Sequence, residues 1–297
     1  MTYRIALHTL NLSFAPPSVE ALASHLERAA QSASAAGARL ILFPEYAIEA
    51  CLAFKPAGLP PTGEMAFLAD CGVRLVEAAK HLPAAHGVSI LLGSMPVGNG
   101  RGGFTNTAIL LTPDGRDIRQ DKLCLTPGEQ DEDSWRLTPG TTLVPFELDG
   151  LKMVILICLD IEMPALSCLL AHQQPDLVLV PSMTERLAGY HRVYGCAKAR
   201  AVELMTCVAV CGVIGAAKGT TQNLTNWSGA SLFVPCEAEL GHDGVAVSVA
   251  PVGGDDGADI QVIADVPVQT VRALRGGDAE VWPGAWSADH ISVAPAS

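Results

Sequence analysis

The sequence of 297 residues predicts a layered α/β protein with two β-sheets packed face to face and helices outside them. Three observations lead there. Short β-rich runs alternate with helical stretches from the first residues to about Leu274, with no obvious linker and no internal repeat. About ten strands and four or five helices can be counted, too many for one doubly wound sheet with short loops. Hydrophobic residues make up 49% and charged residues 17% of the chain. An ordinary soluble domain carries about 25% charged residues, so much of this chain is buried.

Residues 4–10 (RIALHTL) read as the first strand, and Ser18 caps a helix running to Ala36, where Gly37 stops it. Residues 40–43 (LILF) form a buried strand. A helix follows over 62–81, then a strand over 89–94, which completes a βαβαβ order. Residues 104–111 and 115–122 read as a hairpin around Pro113-Asp114-Gly115, and 146–157 repeat the device around Asp149-Gly150. Hairpins imply some antiparallel pairing. A helix begins near Pro164. A strand at 177–181, a helix at 189–204 and strands at 206–215, 229–235, 246–250 and 259–266 follow. The stretch after Arg275 is rich in Gly, Ala, Trp and Pro without a period, and reads as a tail or as an arm laid on a partner subunit.

Composition narrows the function. Acidic residues outnumber basic ones by 31 to 19, for a net charge of −12, and no Lys/Arg block occurs. A nucleic-acid or anionic-membrane partner is therefore not expected, and a small-molecule partner is. The longest near-continuous apolar stretch, 204–217, is shorter than the roughly 20 residues of a spanning helix. No signal peptide is read at the N-terminus. Nine cysteines, an odd number, suit free thiols in a reducing compartment better than a disulfide framework, so a cytoplasmic location is expected.

Reactive groups in α/β folds sit where strands end. Glu45 follows the strand LILF behind a proline, which forces the preceding residue out of helix and presents the carboxylate on a bend. Alone it reads more readily as a solvated loop carboxylate or a helix-cap partner than as a functional group. Lys122 closes the hairpin arm RDIRQDK and alone reads as a charge guarding a sheet edge. Glu129 lies beyond a Pro-Gly turn within a local acidic run. Cys158 stands at the end of the apolar run MVILI, at a strand-to-helix bend where backbone N–H groups and a nearby cation are expected to favour thiolate. Its other reading is a buried structural thiol, as expected for Cys207 and Cys211 on one strand face. Together, a Glu, a Lys and a Cys supply a base, a positive donor and a nucleophile.

FPEY at Glu45, DKLCLTPGE around Lys122 and Glu129, and ILICLDIEMP at Cys158 resemble the nitrilase superfamily of carbon-nitrogen hydrolases, in its amidase-like branch. The resemblance runs from about Arg4 to Leu274. It implies a four-layer α-β-β-α sandwich over residues 1–275, with 276–297 as a C-terminal tail at a subunit interface, and at least a homodimer. It further implies a Glu-Lys-Cys triad of Glu45, Lys122 and Cys158, an oxyanion hole of Lys122 with the backbone N–H of Leu159, and Glu129 as a second carboxylate that orients substrate or Lys122. The reaction so implied is hydrolysis of a small linear amide through a Cys158 thioester, with no cofactor. Nitrile or N-carbamoyl hydrolysis on the same triad, and a catalytically silent ligand-binding member, stand as alternatives. A Cys-His hydrolase using His172 or His191 is a third reading. Leu159, Ala165 and Leu204 depart from the pattern of many relatives and leave substrate shape open, with specificity expected from loops 51–63 and 183–191.

No metal is expected, because the eight histidines are scattered without an H-x-x-x-H or C-x-x-C pair. The run 100–104 (GRGGF) lacks phosphate-loop spacing and reads as hairpin slack.

Overall fold

Alternation along the first strand decides the layers. Ile5 and Leu7 enter one hydrophobic cluster with Leu40, Leu42 and Leu91, while Ala6 and Leu10 enter a second with Ile41, Ile90 and Leu92. Successive side chains of a strand point to opposite faces, so a sheet with two apolar faces must be covered on both. The computed structural model describes residues 2–254 and 257–294.

The first half contains β1 (Tyr3–Thr9), α1 (Val19–Ala35), β2 (Leu40–Leu42), α2 (Pro61–Ala79), α3 (Leu82–His86), β3 (Ser89–Gly98), β4 (Phe104–Leu111), β5 (Asp117–Asp121) and α4 (Pro127–Gln130). The second contains β6 (Phe146–Leu148), β7 (Leu151–Ile155), α5 (Pro164–Ala171), β8 (Leu177–Ser182), α6 (Leu187–Glu203), β9 (Cys207–Gly212), β10 (Ser228–Phe233), β11 (Val245–Val252), β12 (Ile260–Val266) and α7 (Val268–Ala273). Two six-stranded sheets result, ordered β12-β1-β2-β3-β4-β5 and β11-β10-β9-β8-β7-β6. In each, three inner strands run parallel and the outer ones pair antiparallel. Helices α1 and α2 cover the first sheet, and α6 lies on β9 and β10 of the second, which makes the α-β-β-α sandwich. Between the sheets, Thr9 Oγ1 donates to Gly229 O at 2.9 Å in a buried contact.

The expected strands and long helices are present, with Ser18 capping α1 through Ala21 N. Helix α2 starts at Pro61 rather than Thr62, using the fixed φ of proline at the first helical position. The 3₁₀ helix Ala47–Phe54 and the short α3, α4 and α7 went unassigned, since a helix of one or two turns shows too little periodicity to read. GRGGF lies at the connection between β3 and β4, as hairpin slack. Beyond Asp278 the described tail has no regular element. Trp282 packs against the core and donates from Nε1 to Glu203 O, while Trp286 is exposed. Residues 295–297 of the expected tail lie outside the described residues, as do Met1, Asp255 and Asp256 within the expected domain. Among the described residues no helix is long and apolar enough to cross a membrane.

Candidate active site

Three strand-end segments from both sheets meet at one end of the sandwich. After β2, Phe43 N still donates to Leu91 O at 2.9 Å, and then the chain turns. The turn presses on Gly93, whose φ is +77° and where a Cβ would stand 1.8 Å from Pro44 O. Only glycine fits there, next to a shift of register between β3 and β4. Tyr46 takes a left-handed conformation with φ 52°, and its N–H donates to Ser94 Oγ at 3.3 Å. Glu45 is thereby aimed inward and is 1% exposed.

Lys122 is the first residue past β5, pinned by its N–H on Asn106 O at 2.7 Å. Its ammonium donates to Glu45 Oε1 and to Glu129 Oε2, both at 2.8 Å. Three protons are available on Nζ, so one donor remains. Glu129 sits in the first turn of α4 in a capping box with Thr126. Its Oε2 also accepts from Thr126 N at 2.9 Å, and its Oε1 accepts from Tyr46 Oη at 2.9 Å and Asn106 Nδ2 at 3.0 Å. This carboxylate is saturated with donors. On Glu45, by contrast, Lys122 and Asn106 Nδ2 (2.9 Å) both meet Oε1, which leaves Oε2 to exchange a proton.

Cys158 follows β7 at the head of a 3₁₀ turn, Cys158–Glu162, with φ 49°. A non-glycine residue in this region is uncommon and marks a bend held by its surroundings. The thiol donates to Met183 O at 3.4 Å and lies close enough to Glu45 for each to shift the other's proton affinity. Asp160 supplies the surroundings: its carboxylate accepts from Ile157 N (3.1 Å), Leu123 N (3.1 Å) and Cys124 N (2.7 Å). It thus ties the segment leaving Lys122 to the bend carrying Cys158. Arg200 of α6 braces the far side of the turn, donating to Ile161 O and Glu162 O.

Burial decides most of the electrostatics. It raises the Glu45 carboxyl to about 7, against the pull of Lys122 and with help from Glu129. Burial alone would lower the Lys122 ammonium, but Glu45 and Glu129 outweigh it and hold its pKa well above the usual value. Glu129 is the reverse case, since Lys122 and its donors overcome burial and keep it low. The Cys158 thiol is pushed up, first by burial and then by the charge of Glu45. This corrects the expectation of a thiolate favoured by its cation and amides: Lys122 does lower the value, but less than those two effects raise it. The fold thus raises the proton affinity of both the Cys158 thiol and the Glu45 carboxyl.

A pocket of about 820 Å³ opens over Glu45, Lys122, Glu129, Cys158 and Leu159. Its walls are Tyr46 and Trp135, whose rings lie 5.0 Å apart, residues 183–186, Ala188 and Gly189, and residues 221–224. Of the expected loop 183–191, residues 183–186 are a loop that lines the pocket, while 187–191 are the start of α6, of which Ala188 and Gly189 line it. Loop 51–63 does not line the pocket, because its first part is the buried 3₁₀ helix. Neither His172 nor His191 lines it either, so the structure gives no support to a Cys-His pair. Asn106, Tyr46 and Asp160 were missed in the sequence. Their signals were faint: an Asn within the apolar strand FTNTAILL, an aromatic next to Glu45, and an acid two residues past Cys158.

The carbon-nitrogen hydrolase family profile matches residues 4–240. A probable hydrolase of Bacillus subtilis, YhcX, is 28% identical over 258 residues, covering 87% of this chain and 48% of that protein. The chain thus spans about half the length of that relative. An (R)-stereoselective amidase of Pseudomonas sp. is 34% identical over 93 residues, 31% of this chain and 32% of that enzyme. Among solved structures, a mutant amidase from Nesterenkonia sp. AN1 superposes with a TM-score of 0.69 at 22% identity, over 91% of this chain and 92% of that one. That amidase carries the acetamide moiety of fluoroacetamide on its active-site cysteine. At this identity the likeness is one of fold.

Proposed function

The chain belongs to the carbon-nitrogen hydrolase family, and from that premise we propose that it hydrolyses small linear amides through a Cys158 thioester. The observation that carries the reading is the meeting of Glu45, Lys122 and Cys158, from three strand ends, in one pocket. Glu45 takes the thiol proton as Sγ attacks the amide carbon. The oxyanion receives the third N–H of Lys122 and the N–H of Leu159, which lies in the leading turn of a 3₁₀ helix where N–H groups lack intrahelical partners. Glu45 then protonates the leaving nitrogen, and ammonia or an amine departs. A water that gives its proton to Glu45 attacks the thioester, the acid is released, and the proton returns to Sγ. Glu129, saturated with donors, keeps its charge and holds Lys122 in place.

Amidase names among the relatives support amides over nitriles and carbamoyl compounds, which could use the same three groups. A panel of ω-amides, short aliphatic amides, N-carbamoyl amino acids and nitriles, read by ammonia release, tests this. Turnover of amides by the native chain, lost in Cys158→Ala, supports the proposal. Turnover of nitriles alone, or of nothing in the panel, overturns it.

A further inference from the structure

Away from this pocket, the fold gathers three donors that the sequence scatters. His8 lies on β1, His25 on α1 and Asp259 immediately before β12. Nε2 of His8 and Nε2 of His25 converge on one oxygen, Asp259 Oδ2, at 3.0 and 2.6 Å. The three atoms lie within 4.8 Å of one another. We propose that His8, His25 and Asp259 bind a divalent transition metal of the zinc class.

Two imidazoles and a carboxylate are a donor set for zinc and its neighbours rather than for calcium or magnesium, which prefer oxygen. Zinc holds such ligands at about 2.0–2.2 Å, so small side-chain adjustments seat an ion among atoms this close. The side chains are 5%, 19% and 17% exposed, sheltered from bulk water yet reachable by a fourth, water ligand.

The surroundings orient the donors. His8 Nδ1 lies 3.2 Å from Gln261 Oε1, and the Gln261 amide nitrogen donates to Ser32 Oγ. With Nδ1 donating to Gln261, a neutral His8 turns the lone pair of Nε2 toward the carboxylate. A cation between them makes that arrangement attractive, the usual role of a hydrogen-bonded partner behind a metal-bound histidine. Asp259 Oδ1 is occupied by Asn11 N at 2.8 Å, which leaves Oδ2 for the metal. Phe43 packs edge-on to the His8 ring and Phe14 stacks on that of His25. Arg28 Nη2 lies 3.3 Å from His25 Nδ1 on an exposed side chain, so metal binding through Nε2, which puts the ring proton on Nδ1, requires that contact to open into solvent. The ion would join both ends of the chain and fasten β12, the outer strand of its sheet, to β1 and α1. A ligand bound by the folded state alone stabilises it.

The test uses the full chain, stripped with a chelator and with its thiols capped, titrated with Zn²⁺ and Co²⁺. One equivalent should bind, the Co²⁺ complex should lack a thiolate charge-transfer band, and Zn²⁺ should raise the melting temperature. His25→Ala, at a partly exposed position, should remove the binding and the shift, and Gln261→Leu should weaken affinity by about 10–100-fold. No saturable binding by the capped chain, or equal binding by His25→Ala, overturns the site.

Discussion

Lys122 Nζ and Glu45 Oε1 stand 2.8 Å apart although 77 positions separate them in the chain, and both side chains are almost wholly out of water. A buried ion pair of this kind is weak evidence for stability, but removing one partner strands the other's charge.

Lys122→Ala is therefore expected to lower kcat by at least about 10²-fold, a typical cost of losing an oxyanion donor. It should also destabilise the fold by roughly 3–5 kcal/mol, because Glu45 and Glu129 would be left buried together. Glu129→Gln keeps its shape and should be milder. Steady-state kinetics and urea unfolding check both, and a fully active Lys122→Ala enzyme would remove the oxyanion role.

The pH dependence follows from Glu45, raised from its ordinary 4.5 to about 7. Activity needs the carboxylate, so kcat/KM should climb as pH rises through about 7. Stability moves the other way for this group. A raised folded-state value makes its contribution complete below the unfolded value and lost as pH rises through about 7. Unfolding of native and Glu45→Gln chains between pH 4.5 and 8 should give a difference that changes in this sense. A difference independent of pH would contradict the raised value.

Because the Cys158 thiol is pushed up while Cys168 and Cys236 are exposed on the single chain, iodoacetamide should label Cys168 and Cys236 first near neutral pH when the chain is dilute enough to leave the apolar groove they line uncovered. Loss of activity should track labelling of Cys158, and Glu45→Gln should slow that labelling about tenfold or more. Peptide mass spectrometry reads all three sites. Rapid labelling of Cys158 in Glu45→Gln would show that the thiol needs no base.

The chain is expected to pair as a homodimer through the face that carries α5, α6 and the tail. Leu169, Val202, Val281 and Trp286 are exposed there, beside an apolar groove of about 520 Å³. Light scattering on the full chain at micromolar concentration should give twice the chain mass, and a chain ending at Arg275 should give less dimer. A monomeric mass for the full chain would refute the pairing. An unchanged dimer after truncation would exclude the tail from it.

Much of this was legible in the sequence because it is local. A strand of period two, a capped helix and a Pro-Gly or Asp-Gly turn are each specified within a few residues, and they placed Glu45, Lys122 and Cys158 at strand ends in the right order. The reading of loop 51–63 failed because apolar side chains there are drawn beneath α2, a packing that neighbours in sequence do not reveal.

What only the tertiary structure decided depends on distances through space. Asn106 bridging Glu45 and Glu129, Asp160 tying the Lys122 segment to the Cys158 bend, and His8 and His25 meeting at Asp259 all join residues brought together by stacking and pairing of sheets. The proton affinity of Cys158 belongs to the same class. The sequence shows which charges stand nearby in order, but burial is set by the whole fold, and in a water-excluded site it can outweigh them.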